Sequence, residues 1–343
     1  RGGFLSDAQV VLVSDTYCPS RAPCLTTAVR GLLELEVEVA GGARELHSGE
    51  WGGLVRGPME DLTQLLASLV DAAGRPNVAG LDPRAEAGAD AAAVGAAGGG
   101  ALDEAGIAAA AVEVDVAAMA REAGLSVARA TALLQGQKSK GGQSHNAVSR
   151  DVLSALWLRP SLTVHGVEGA WASPGFKTVI PRRVVGKVSV RLVPPMNLPA
   201  TLTAVEMHLT RQFARMRSPN TLSVRSVHYV PPWSAGSESG HFMLMAQRAI
   251  EEVTGVRAIY AGAGGTVPAV SILDRLLSAP LLLMPFGPAS QGAHSGAEHV
   301  EVELAGRGLA VARTFLRMVG GGASEVAAEQ GVGSGGSGSE RSN

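Results

Sequence analysis

The sequence predicts an α/β domain with a parallel-type sheet, into which an α+β domain of ferredoxin-like type is inserted. Helix and strand patterns alternate over residues 236–322, which is typical of an α/β layer. A short apolar strand pattern at residues 8–13 supplies another strand for the same sheet. Between these two segments, alternating strands and amphipathic helices follow in the order expected for helices packed on one face of an antiparallel sheet.

The inserted domain is assigned to residues 28–235. Its first strand is predicted at residues 33–39, where leucine and valine alternate with glutamate. Gly41-Gly42 predicts a hairpin turn into residues 44–48, and Pro58 opens a helix that Gly74 ends. The remaining elements are strands at residues 162–166, 187–192 and 222–230, and a helix at residues 199–216.

Three segments show no pattern typical of a core element. Residues of about 83–111 are rich in alanine and glycine with little periodicity, which indicates a low-complexity insertion. Residues 231–240 contain two prolines followed by serine and glycine, and they predict a hinge. Residues 323–343, the end of a Gly/Ser-rich stretch, have nothing to bury, so we expect a disordered tail.

The α/β domain is assigned to residues 1–27 and 236–322. Asp15 comes directly after one apolar strand, and His294 lies in the polar loop after another. Ligands and metals collect beyond the carboxyl ends of strands in open α/β sheets, so we expect Asp15 and His294 to share one site. The other predicted elements are helices at residues 242–253, 268–277 and 309–319, and a strand at residues 258–260.

Composition narrows the classes of function. The 343 residues carry a net charge of −2, which argues against a nucleic-acid partner, and no apolar run approaches the length of a membrane span. Cys18 and Cys24 lie close together and are too few for a disulfide scaffold, so we expect reduced cysteines and a cytoplasmic location. Arg1 stands only a few residues ahead of a buried strand. We therefore expect a fragment whose sheet is incomplete at its N-terminal side.

Seven motifs follow one another along the chain outside the insertion and the tail. They are VVLVSD (10–15), LHSGEWGG (46–53), RPSLTVHGVEGA (159–170), KTVIPR (177–182), VRLVP (190–194), GGTVP (264–268) and GAHS (292–295). In this order the chain resembles the carnosinase and cytosolic nonspecific dipeptidase branch of the dinuclear-zinc aminoacylase and carboxypeptidase superfamily. The resemblance implies a catalytic α/β domain that holds two divalent metal ions, zinc or manganese, and a lid domain that forms the homodimer.

The resemblance also implies roles for particular side chains. Asp15 and His294 match metal ligands, and His47 matches the lid histidine that reaches the partner subunit and hydrogen-bonds the oxyanion. Arg191 matches the arginine that grips the C-terminal carboxylate of the peptide, a task suited to its planar donors. The substrate-contacting positions are completed by Thr178, His228, Thr266 and His294, whereas His165 is interpreted as structural.

The implied reaction is metal-dependent hydrolysis of dipeptides such as Cys-Gly or carnosine-like substrates. A metal-bridged water would attack the carbonyl, with a glutamate upstream of residue 1 as the general base. The remaining metal ligands are also expected upstream, and Gly262 and Ala263 stand where the family has an arginine and an acid. Two alternatives stay open: an N-acyl-amino-acid amidohydrolase of the same superfamily, and a non-catalytic dimerising remnant.

Overall fold

The computed structural model describes residues 5, 7–20, 22–81, 110, 126, 145–292 and 295–331, and gives the backbone alone for residues 145–148, 289 and 322–331. Apart from Ala110, the predicted insertion at residues 83–111 lies outside the described residues, as does His294. In the described residues the elements are, in chain order, β1 (Val11–Val13), β2 (Cys24–Val29), β3 (Gly31–Ala40), β4 (Leu46–His47), α1 (Ser48–Trp51), α2 (Pro58–Ser68), α3 (His145–Trp157), β5 (Ser161–Glu168), β6 (Val179–Ile180), β7 (Arg183–Leu192), α4 (Leu198–Met216), β8 (Thr221–Val230), β9 (Trp233–Ser234), α5 (Gly240–Thr254), β10 (Ile259–Ala263), α6 (Pro268–Leu276), β11 (Leu281–Leu283) and α7 (Val302–Gly331).

The first sheet has five strands in the order β1-β11-β2-β10, with β9 also paired to β2. β1 is parallel to β11 and β10 is parallel to β2, but β11 and β9 are antiparallel to β2. The expected parallel-type sheet is therefore mixed. A connection between two parallel strands needs a dozen or more residues and usually includes a helix. The loop between β1 and β2 is too short for such a connection, so these two strands run in opposite directions.

Helices cover both faces of this sheet. α5, α6 and α7 pack on one face around a core that includes Leu25, Val29, Leu282 and Phe315. Cys24 and Ala28 alternate with these β2 residues, so they face the other side, where α3 packs against them through Leu153 and Trp157. The sequence interpretation placed residues 145–157 in the inserted domain; in the structure they pack on the first sheet because their apolar face meets β2 and β10.

The second sheet has four antiparallel strands in the order β5-β7-β3-β8. The chain order β3-α2-β5-β7-α4-β8 combined with this strand order gives the ferredoxin-like topology. α2 and α4 cover one face and bury a core that includes Leu33, Leu35, Leu62, Val190 and Leu209. The other face is open and carries the polar side chains of the alternating strands.

The predicted hairpin at residues 41–48 is wrong. β3 is the central strand, and β7 and β8 occupy its two edges along nearly its whole length, so no edge is free for residues 44–48. These residues instead form β4, which pairs with β6, with His47 opposite Val179.

Asp61 links α2 to the loop after α4. Its side chain is 0 % exposed. It accepts hydrogen bonds from Arg56 Nε, from Ser218 Oγ and from Asn220 Nδ2, the last at 2.8 Å. A buried carboxylate is stable only when it is paired in this way, so the four residues act as one structural unit.

Two further expectations differ from the structure. Cys18 and Cys24 form a disulfide instead of staying reduced, because the loop between β1 and β2 brings their Cα atoms to 5.6 Å, within the range of a disulfide. The hinge at residues 231–240, part of which is β9 paired with β2, stays a prediction. α7 continues to Gly331, so the first part of the tail predicted at 323–343 is helical, as its alanine and glutamate content favours.

None of the helices in the described part of the chain combines the length and the hydropathy that a membrane span needs.

Candidate active site

Asp15, one of the two predicted metal ligands, lies just beyond the end of a strand of the first sheet. Asp15 is exposed and lies two residues past β1. β1 and β11 run parallel with Val13 opposite Leu283, so the loops that follow them leave the sheet at the same edge. The loop after β11 contains His294. Because His294 lies outside the described residues, the approach of its side chain to Asp15 stays a prediction.

Two residues that sequence reasoning missed join these loops. The Tyr17 hydroxyl donates to Glu298 Oε1 at 3.3 Å, across a separation of 281 residues. Burial, followed by the Glu298 carboxylate, raises the pKa of Tyr17, and the charge of Asp15 adds to this effect. Neither residue stands in a recognisable motif, so no sequence signal pointed to them.

The side chains described in the structure do not form a complete metal site. Among the described residues, no group of three or more His, Cys, Asp or Glu side chains could hold a metal ion. Asp15 supplies a carboxylate of the type that binds divalent ions, but zinc and related ions need several such ligands. The metal ions implied by the resemblance therefore require ligands in addition to those described.

His47 is held in one orientation by its own helix. It is the N-cap of α1, and its Nδ1 accepts the N–H of Gly49 at 3.1 Å. A neutral imidazole that accepts at Nδ1 carries its proton on Nε2, which lies 3.5 Å from Thr178 Oγ1. The backbone N–H of Ser48 also donates to Thr178 O at 3.0 Å. The structure thus brings the predicted residues His47 and Thr178 together, with an exposed N–H donor at Nε2.

Arg191 and Thr266 form the second pair. Arg191 Nη1 donates to Thr266 Oγ1 at 2.7 Å, and the Thr266 hydroxyl donates to the backbone oxygen of Arg30 at 2.8 Å. Arg191 lies on β7 of the second sheet, whereas Thr266 lies in the turn between β10 and α6. This pair therefore joins the two sheets.

His228 shares the open face of the second sheet with Arg191. On β3, Glu34 pairs with His228 on one side and with Ser189 on the other, and Arg191 is the next residue of β7 on that face. His228 also lines a cavity of about 330 Å³ between β8 and α6. His165, interpreted as structural, has its Nε2 2.7 Å from Ser189 Oγ on the same face.

Arg30 is a further residue of this region that sequence reasoning did not single out. It is the one residue between β2 and β3, and its Nε donates to Gly264 O at 2.9 Å. The sequence signal that could have pointed to Arg30 is the Arg-Gly pair at the start of β3. A Cβ on Gly31 would stand 2.6 Å from Val230 O and 2.5 Å from Pro232 N. Glycine is therefore needed where the start of β3 packs against the backbone that follows β8.

The structure gives a physical reason for glycine at position 262, where the resemblance implies an arginine. A Cβ at Gly262 would lie 2.6 Å from Trp157 Cγ and 2.7 Å from Trp157 Cβ. Trp157 is 5 % exposed and belongs to the core between α3 and the first sheet. A side chain on residue 262 would therefore have to displace the indole.

We expect Gly262→Ala to lower the free energy of unfolding by about 1–3 kcal/mol, because the new methyl group overpacks the contact with Trp157. The matched control is Gly265→Ala, where a Cβ meets no atom within 4 Å, and its change should stay within about 0.5 kcal/mol. Urea unfolding of the two variants measures both values. Equal stabilities would show that Trp157 moves aside freely.

Comparison with known proteins places the chain in a family. Residues 27–217 match the sequence profile of a family described as peptidase dimerisation domain. The chain belongs to the peptidase dimerisation domain family. The match begins within β2 and ends just after α4, so the dimerisation domain includes most of the second sheet and its two helices. β8, which completes that sheet, follows the matched residues.

The relatives of this dimerisation-domain protein include named dipeptidases. The chain is 32 % identical over 302 residues to a Beta-Ala-His dipeptidase of Rattus norvegicus, and this alignment covers 88 % of the chain and 55 % of the relative. It is 29 % identical over 316 residues to a Cys-Gly metallodipeptidase of Saccharomyces cerevisiae, and that alignment covers 92 % of the chain and 60 % of the relative. The chain thus spans little more than half the length of these relatives.

Solved structures agree with this assignment. The crystal structure of human carnosine dipeptidase 1 superposes with a TM-score of 0.68 at 31 % identity, covering 92 % of this chain and 60 % of that chain. This similarity supports an α/β domain combined with a dimerisation domain. The two-sheet arrangement described above is consistent with it.

Proposed function

We propose that the complete protein is a metal-dependent dipeptidase, to which this chain contributes the dimerisation domain and part of the catalytic α/β domain. Its substrates would be dipeptides with a free C-terminal carboxylate, such as the β-Ala-His and Cys-Gly for which its relatives are named. The observation that carries the proposal is the hydrogen bond between Arg191 and Thr266. It fixes a guanidinium, the side chain best suited to a carboxylate, between the two sheets.

The spacing along β2 suits a short peptide. Thr16, next to Asp15, has its Oγ1 3.0 Å from Thr26 Oγ1. Arg30 follows Thr26 by four residues, which is about 13 Å along an extended strand. The two extended residues of a dipeptide span about 7 Å, and the protein side chains near Thr26 and Arg30 extend into the remaining distance between these two residues. A dipeptide held by its carboxylate at Arg191 would therefore have its peptide bond toward Asp15.

His47 would act on the peptide bound to the partner subunit. Arg191 pairs with Leu32 at one end of β3, whereas Ala40, at the other end, precedes the segment that carries His47. Eight residues of strand separate Leu32 from Ala40, or about 26 Å. No dipeptide spans that distance. A homodimer formed through the dimerisation domain would bring His47 of one subunit to the substrate of the other, where its Nε2–H donates to the developing oxyanion.

The metal ions would be held by Asp15 and His294 together with further ligands. When bound, a pair of divalent ions supplies a water that is acidic enough to act as a nucleophile at neutral pH. The described residues would contribute orientation: Arg191 holds the carboxylate, and Thr266 and His228 lie near the same end of the peptide. Thr178, which lies beside His47, would instead reach the peptide bound to the partner subunit.

The test is hydrolysis of β-Ala-His and Cys-Gly by the complete protein expressed from its gene, with zinc or manganese added. Arg191→Gln should raise KM by about 10- to 100-fold, because a charge-assisted hydrogen bond to the carboxylate is lost. The control is Arg211→Gln, which changes an exposed arginine of α4. An unchanged KM in Arg191→Gln would rule out the role given to that residue.

The same assay separates the two alternatives. An N-acyl-amino-acid amidohydrolase would hydrolyse N-acetylated amino acids faster than the dipeptides. A non-catalytic dimerising protein would hydrolyse neither class of substrate but would still sediment as a dimer. The disagreement at Gly262 and Ala263 and the incomplete ligand set among the described residues are the observations that make the second alternative worth testing.

A further inference from the structure

Two arginine side chains, Arg30 and Arg191, lie near each other at the junction of the two sheets, where both contact the turn between β10 and α6. Arg30 and Arg191 are both partly buried. In the ranges that the structure describes, no Asp or Glu side chain forms an ion pair with either guanidinium. Burial, and then the positive charge of Arg191, lowers the pKa of Arg30 to about 10, so Arg30 is still protonated at neutral pH. Two neighbouring cations that are partly withdrawn from water favour the binding of an anion.

The two guanidinium groups keep donors available for such an anion. Each has five N–H groups. Arg30 directs Nε to Gly264 O and Nη1 to Ser161 Oγ at 3.5 Å, and Arg191 directs Nη1 to Thr266 Oγ1. A Cβ on Gly264 would stand 3.2 Å from Arg30 Nη2, so the glycine leaves the space beside that nitrogen open. α6 begins two residues after Thr266, and its N-terminus adds a positive field in this region.

We propose that Arg30 and Arg191 together bind one carboxylate, the C-terminal carboxylate of the peptide, between the two sheets. This inference rests on the proposed function, which gives the carboxylate to Arg191, and it adds Arg30 as a second binding residue. Thr266 is a positioning residue, since it accepts from Arg191 and donates to the backbone oxygen of Arg30. The bound carboxylate would also link β7 of the second sheet to the β2–β3 connection.

The proposal predicts that a free carboxylate, and not the rest of the peptide, is what the chain recognises here. The experiment uses the full chain and measures the dissociation constants of β-Ala-His, its C-terminal amide and inorganic phosphate by titration calorimetry. We expect β-Ala-His to bind at least about 10-fold more tightly than its amide, because the amide cannot form a charge-assisted pair. Phosphate at the same concentration should bind more weakly than the dipeptide.

Arg30→Gln should weaken β-Ala-His binding by about 10- to 100-fold and leave binding of the amide unchanged. Arg30→Lys keeps the charge but loses the planar fork, so its loss should be smaller, about 3- to 10-fold. Arg211→Gln, at an exposed arginine of α4, is the matched control and should bind like the unchanged chain. If Arg30→Gln does not fold, Arg30→Lys still decides the question.

Equal affinity for the acid and the amide, or an Arg30 variant that binds β-Ala-His normally, would overturn the proposal. Phosphate binding as tight as dipeptide binding would overturn the assignment to a peptide carboxylate. A different result would contradict the proposed function alone. Carboxylate binding that depends on Arg30 and Arg191, in a complete protein that hydrolyses no dipeptide, would leave this site intact and remove the dipeptidase assignment.

Discussion

Replacing His47 with asparagine in the complete protein is expected to lower kcat for β-Ala-His by about 10²- to 10³-fold, the loss typical of one oxyanion donor. The side chain of His47 has two separable tasks in the structure. Nδ1 caps α1 by accepting from Gly49, and Nε2 is the donor beside Thr178. Asparagine is a good N-cap but is too short to reach the position of Nε2. The steady-state rate therefore reports on the donor, with the cap preserved.

A subunit-mixing experiment decides whether His47 acts across the dimer. Equal amounts of His47→Asn and Arg191→Gln chains are unfolded, mixed and refolded. If each site takes Arg191 from one subunit and His47 from its partner, half of the dimers are hybrids with one intact site. Activity should then return to about a quarter of the unmutated value, as follows from random pairing in a two-fold dimer. No recovery would contradict a shared site. A thermal midpoint of His47→Asn far below that of the unmutated protein would instead show that the cap of α1 is lost, so that the rate no longer reports on the donor alone.

Asp61→Ala is expected to reduce the free energy of unfolding by about 3–5 kcal/mol, the typical cost of breaking a buried charged pair. The carboxylate is fully buried and accepts from Arg56, Ser218 and Asn220, so its removal leaves three donors without their partner. Because these donors lie on the segment before α2 and on the loop after α4, we expect the second sheet to lose the packing of both helices. Chemical denaturation monitored by circular dichroism measures the change.

Two controls make this prediction specific. Asp61→Asn keeps the shape and part of the hydrogen bonding, so it should cost less, about 1–3 kcal/mol. Glu303→Ala removes an exposed carboxylate that pairs with Arg307 one turn along α7, and should change stability by less than about 0.5 kcal/mol. A loss at Asp61 no larger than the loss at Glu303 would show that the buried cluster is not a stabilising unit.

The strands and helices of the inserted domain were predictable because their residues alternate or repeat with clear periods. Residues 33–39, with glutamate at every second position, gave a half-buried strand that the structure places at the centre of its sheet. The partners of that strand were not predictable from local sequence. Gly41-Gly42 is a common turn signal, but whether β3 has a free edge depends on β7 and β8, which lie about 140 to 190 positions further along the chain.

The residues of the candidate site also fall into those that the sequence predicts and those that only the structure reveals. Arg191, Thr178 and Thr266 stand in motifs, and the structure shows a side-chain contact between Arg191 and Thr266 and another between Thr178 and His47, while their roles stay predictions. Arg30 has no motif. The role proposed for it rests on its burial and on the nearby charge of Arg191, and both exist only once the two sheets have packed together. The disulfide of Cys18 and Cys24 was missed for a related reason: cysteine count and spacing do not report the distance that a loop imposes.

Three of the covalent crossings between the two sheets lie within the described residues, and their position has a mechanical consequence. One crossing is Arg30 itself, another lies just before Ser161, and a third is the Pro231-Pro232 step between β8 and β9. Arg30 Nη1 lies 3.5 Å from Ser161 Oγ, and Gly31 would clash with Pro232 if it carried a side chain, so all three crossings share one small region. A rotation of one sheet against the other about these crossings would have its axis there. Groups beside that axis would barely shift, while Ala40, about 26 Å along β3 from Leu32, would move by several ångströms for every ten degrees turned, and the segment that carries His47 follows it.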